Sequence, residues 1–257
     1  MSGRVTGKRY PLLDVIRGIT LISMIAYHTS WDLVYLFGIG GRFQTWYLSA
    51  NAYVWQQSIC WTFIFLSGFC IPLSKRKWRR GIIVFAAGAL VTAVTLVFMP
   101  NERVIFGVLT LIGSAMLLAA LLYPLLSKLT GIIGFIVSAY LFYLFRQVNG
   151  GFLTIYPGRR VMVARSLYQG YAGTYFGFMD PNFRSTDYFS LLPWVFLFFA
   201  GMYFHLALSR EGGFRWKIMN LDIPPLAFLG RHSLMIYLLH QPAVYLILTL
   251  LHTVGIL

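Results

Sequence analysis

Seven apolar runs, at about residues 11–28, 52–73, 81–99, 105–126, 132–145, 189–208 and 231–251, constrain this 257-residue chain more than any single motif. A membrane-crossing helix needs about 20 predominantly apolar residues. In lipid, a single segment satisfies its own backbone N–H and C=O groups only as a helix. The expected fold is therefore all-α, a polytopic integral membrane bundle with about seven transmembrane helices. Hydrophobic residues make up 58% of the chain and charged residues 11%, against about 45–50% and about 25% in soluble domains. That balance excludes a soluble enzyme.

Lys and Arg number 21 against 7 Asp and Glu, for a net charge of +14. In a soluble protein such an excess suggests nucleic acid; between apolar spans it reads as topology and contact with anionic lipid, so no nucleic-acid partner is expected. Counted by alternate loops, thirteen basic residues fall on the side of residues 1–10, 75–80, 127–131 and 209–231. Seven fall on the other, and Arg17 lies inside the first span. The positive-inside rule then puts the N-terminus in the cytoplasm and residues 146–188 outside. The expected location is a cell (plasma or inner) membrane, multi-pass. No repeat is visible, so residues 1–257 are taken as one domain with an outer loop at about 146–188. The first run contains Asp14 and Arg17 and has no A-x-A-like end, so no cleaved signal peptide is expected. Cys60 and Cys70 would stand about 15 Å apart on a helix, too far for a disulfide. No His/Cys spacing suggests a metal.

An acid and a guanidinium inside an apolar span are costly, and by default they mark function. Asp14 and Arg17 are i,i+3 neighbours. Arg17 and His28 are eleven residues apart, three turns with about 20° left over, so all three share a face and Arg17 and His28 stand roughly 16 Å apart along it. An ion pair that merely neutralises itself, with His28 at the interface, fits the same residues.

The setting LDVIRGITLISMIAYHTSWDL, with Arg17, ten residues and then His28, resembles the R-x10-H signature of acyltransferase-3-type membrane enzymes. It is more similar still to the catalytic domain of heparan-alpha-glucosaminide N-acetyltransferase and its small bacterial relatives. WTFIFLSGF (Trp61 to Phe69), DYFSLLPW (Asp187 to Trp194) and GRHSLMIYLLHQP (Gly230 to Pro242) resemble further elements of that family. The resemblance implies transfer of an acyl group, most often acetyl, from cytoplasmic acyl-CoA to an acceptor outside. Acetyl-CoA is then the donor, with no metal. The acceptor is a hydroxyl or amine of an envelope glycan, a lipid headgroup or a small amine. His28 would serve as general base or as acyl carrier, and Asp14 would hold Arg17. Arg17 and the KRKWRR run, with Arg76, Arg79 and Arg80, would meet the nucleotide phosphates, as would Arg231. His240 and Gln241, before Pro242, would line the same pocket or serve as interhelical glue. Asp32, one turn after His28, would orient an imidazole, a role also open to Asp180 and Asp187. Gln56 or Gln57 would polarise a thioester carbonyl. His205 and His252 are expected at the interface, and a homo-oligomer is compatible with all of this.

Residues 146–188 hold nine Phe or Tyr and five Arg, suited to an acceptor surface or an interfacial belt. A competing class is a small-solute or proton-coupled transporter, with Asp14, Arg17 and His240 lining the path; the absence of an inverted repeat weighs against it.

Overall fold

The computed structural model describes residues 9–210 and 216–257. Among them each of the seven apolar runs is helical. The long helices are α1 (Pro11–Tyr35), α3 (Ala50–Phe69), α4 (Lys77–Phe98), α5 (Val108–Leu126), α6 (Gly131–Phe145), α8 (Leu191–Arg210) and α10 (Ser233–Thr253). Three short helices join them: α2 (Gly41–Tyr47), α7 (Gly170–Phe176) and α9 (Pro224–Arg231). A hairpin of β1 (Phe152–Tyr156) and β2 (Arg159–Met162) interrupts the α-helical pattern after α6.

Six of the long helices are apolar enough to cross a membrane, α6 being counted with its continuation to Gly150. The seventh run, α3, falls short because Asn51, Gln56, Gln57 and Ser58 crowd its first half. The basic cluster near the N-terminus lies outside the described residues except for Arg9, as do residues 211–215 of the loop before α9. The stretch read as a loop up to Arg231 contains α9, which opens on Pro224 and Pro225, residues that suit the first helical turn because their missing N–H would be unsatisfied there anyway. The last span accordingly begins at Ser233 rather than directly after Gly230.

Among the described residues the fold divides into two compact units, one drawn from residues 9–63 and 216–257 and the other from residues 64–210. In the first, α9 lies tight on α1. A Cβ on Gly18 would stand 2.1 Å from Leu226 O, and one on Gly230 would stand 1.9 Å from Asp14 O. Small residues of this kind let helix backbones approach where lipid supplies no hydrophobic drive for association. Leu21, Met24 and Ile59 form a buried apolar cluster in this unit, flanked by Tyr27, Trp55 and Tyr237.

The second unit uses the same device. Gly88 of α4 meets Thr110 of α5, Gly113 of α5 meets the backbone at Phe85, and Gly131 and Gly134 of α6 meet Ala207 and Tyr203 of α8. Gly68 packs on Phe198 O, which accounts for it as a packing residue. His205, expected at the interface, is instead buried, with its ring edge-on to Phe69 at 4.9 Å. Residues 146–188 are ordered by their own hydrogen bonds. Asp180 accepts from Gly170 N (2.7 Å) and Asn182 N (2.8 Å), and Tyr188 Oη donates to Thr174 O (2.6 Å).

Candidate active site on the first and last helices

Pro11 starts α1, and from there 25 helical residues carry Asp14, Arg17, His28 and Asp32 on one continuous helix. The roughly 16 Å spacing of Arg17 and His28 along it therefore holds. Near its start the buried Asp14 carboxylate accepts from Arg17 Nη1 at 3.0 Å and from Arg9 Nε at 2.7 Å. Arg9 is a partner that spacing did not reveal, because it precedes the helix and approaches the carboxylate from the chain's entry. Fixing the carboxylate between two guanidiniums offsets the cost of burying its charge.

Three turns further on, α10 meets the same helix. The His28 and His240 rings stand 4.9 Å apart in an edge-to-face arrangement. His240 Nδ1 lies 2.5 Å from Tyr237 O. A carbonyl oxygen only accepts, so the neutral ring carries its hydrogen on Nδ1 and presents the lone pair at Nε2. Next to it, Gln241 Nε2 donates to Asp32 Oδ1 at 2.5 Å. Asp32 thus reaches across to α10 and holds an amide through Oδ1. α10 runs helically through Pro242, whose missing N–H frees the carbonyl one turn back.

His240 Nε2, Gln241 Oε1 and Asp32 Oδ2 are buried and have no hydrogen-bond partner among the described residues. All three are acceptors, and buried acceptors left without a donor are uncommon in folded proteins. Beside them runs an aromatic wall. Tyr27 stands 5.2 Å from Trp55 and 5.3 Å from Tyr47, Trp55 stacks obliquely on Trp46 at 5.9 Å, and Trp55 Nε1 donates to Ser23 Oγ at 2.7 Å. Composition foretold an aromatic-rich chain; which rings meet was invisible to it.

The other expected residues have their own surroundings. Gln57 donates to Gln56 at 3.2 Å and accepts from Trp61 Nε1 at 3.2 Å, so the pair is engaged on its own helix. Arg231 is exposed in the last turn of α9. Arg76, Arg79 and Arg80 are exposed around the start of α4 in the second unit, where Lys77 Nζ caps Ser74 O (2.9 Å) and lies 4.3 Å from the Tyr123 ring centre. Asp187 accepts from Val108 N at 3.2 Å, and burial pushes its carboxyl up to about 6. His252 is exposed beside Phe37. Among the described residues no group of three or more His, Cys, Asp or Glu is placed to hold a metal.

No curated protein and no solved structure matches this chain significantly. The profile of the family described as heparan-alpha-glucosaminide N-acetyltransferase, catalytic, matches residues 9–242 and so spans α1, the His28–His240 pair and Gln241. The chain belongs to this family of membrane acetyltransferase catalytic domains.

Proposed function

We propose that the protein moves an acetyl group from cytoplasmic acetyl-CoA to a hydroxyl or amine on an acceptor across the membrane, with His28 as general base. The observation that carries this reading is the His28–His240 pair at 4.9 Å, set among three buried acceptor atoms that have no donor among the described residues. A nucleophile bringing an O–H or N–H supplies the hydrogen those atoms want. The acceptor oxygen or nitrogen forms a bond to the thioester carbonyl carbon, His28 takes its proton, and the carbon–sulfur bond breaks. The proton then returns to the sulfur, and the products are an acetyl ester or amide and free CoA.

Arg17, held by Asp14, binds the donor's anionic end, and its roughly 16 Å separation from His28 is of the order of an extended pantetheine arm. Arg231, exposed in the last turn of α9, adds positive charge for the nucleotide phosphates. The acceptor is an envelope glycan, lipid headgroup or amine on the side opposite the donor. Membership of a transferase family favours this over solute transport through the same polar residues.

The test is acetyl transfer from labelled acetyl-CoA by protein reconstituted in lipid, with His28→Ala in parallel. Label reaching an acceptor with wild type, and falling at least about 100-fold in the variant, supports the reading. Turnover close to wild type in a folded His28→Ala protein overturns it.

A further inference from the structure

We propose that the second unit carries a separate site for a phosphate group, in the angle between the end of α6 and the β1–β2 hairpin. A cavity of about 660 Å³ there is lined by Tyr143, Arg146, Gln147, Thr154, Gly158 and Arg160. Every polar side chain among these offers a hydrogen-bond donor, and none is a carboxylate. The site does not depend on the acetyl-transfer chemistry and shares no residue with it.

Thr154 and Arg160 are directly opposite one another in the antiparallel register, so their side chains leave the same face of the hairpin. Gly158 makes the reversal possible at φ +86, beside Pro157. Thr154 Oγ1 is buried with no hydrogen-bond partner among the described residues. Arg146 caps α6, and its guanidinium lies 5.0 Å from the Trp194 ring centre and 5.8 Å from that of Phe142. The acids of the 146–188 segment are engaged elsewhere, Asp180 with Gly170 N and Asn182 N and Asp187 with Val108 N.

The Arg160 guanidinium, the Gln147 amide and the unpartnered Thr154 hydroxyl, beside the positive charge of Arg146, suit the oxygens and charge of a phosphate. Tyr140, Tyr143, Tyr156 and Met162 are exposed around the cavity, the kind of amphipathic fringe that sits at headgroup level. Two sources present the same chemistry: an anionic phospholipid headgroup and free phosphate.

Native mass spectrometry of the delipidated full chain distinguishes them, using phosphatidylglycerol, phosphatidylcholine and inorganic phosphate as probes. Wild type is expected to prefer phosphatidylglycerol to phosphatidylcholine. Arg160→Gln should weaken that binding at least about tenfold, the loss of one charged hydrogen-bond donor. Thr154→Val should weaken it several-fold, and both positions are mild enough to leave the helices packed. Arg159→Gln changes the same charge at a residue that does not line the cavity and should leave affinity unchanged. Competition by inorganic phosphate supports a site that reads the phosphate itself; bound phosphatidylglycerol that phosphate does not displace supports a lipid headgroup. Equal weakening by Arg159→Gln and Arg160→Gln, or no binding of either anionic probe, overturns the proposal.

Discussion

Gln241 donates through Nε2 to Asp32 Oδ1 at 2.5 Å, tying the last turn of α1 to the middle of α10 beside the two facing histidines. The bond joins residues 209 positions apart in sequence. Among the described residues it also makes the fully buried Asp32 side chain dependent on a single neutral amide.

That dependence has a measurable consequence. Gln241→Ala leaves a buried acid without its donor and should cost about 1–3 kcal/mol. Adding Asp32→Ala should recover part of the loss, because the acid that needed the donor is gone. Thermal unfolding of the two single variants and the double variant in lipid nanodiscs checks it; strictly additive losses would show that the two residues act independently.

Arg17 should act on the donor. Arg17→Ala is expected to raise the acetyl-CoA KM by about tenfold or more, the loss of a charged hydrogen-bonding group, while Arg17→Lys retains part of the affinity as a point charge. Steady-state kinetics with acetyl-CoA varied at fixed acceptor would reveal it, and a fall in kcat with KM unchanged would place Arg17 outside the donor site.

Gly230 has no room for a side chain. Gly230→Ala puts a methyl group into Asp14 O and must push α9 away from α1, at a cost of about 1–3 kcal/mol. Gly150→Ala, where the added carbon meets nothing within 4 Å, is the matched control and should be near neutral. Unfolding temperatures of the two variants give the comparison.

Asp187 makes stability depend on pH in a stated direction. Burial raises its carboxyl from the ordinary value 3.8 to about 6, so the folded state binds the proton more tightly than the unfolded chain. The stabilisation from that proton is complete below about 4 and is lost as pH rises through about 6. Asp187→Asn should abolish this part of the pH dependence. The difference in unfolding temperature between wild type and variant, followed from pH 4 to 7, should change steadily across the interval; a constant difference would contradict the raised carboxyl.

The amino-acid sequence determined the helical membrane architecture, because apolar runs of spanning length leave the backbone no alternative in lipid. It determined the shared face of Asp14, Arg17 and His28 as well, since residues on one helix are placed by its period alone. The motifs running from α1 to Pro242 made the family legible. Run length alone concealed the polar first half of α3, the α9 helix between two apolar segments and the β1–β2 hairpin. Only the tertiary structure decided that His240 faces His28, that Asp32 holds Gln241 and that Arg9 joins Arg17 on Asp14. Each of those contacts depends on how separate segments pack, which small residues such as Gly18 and Gly230 permit but no local periodicity specifies.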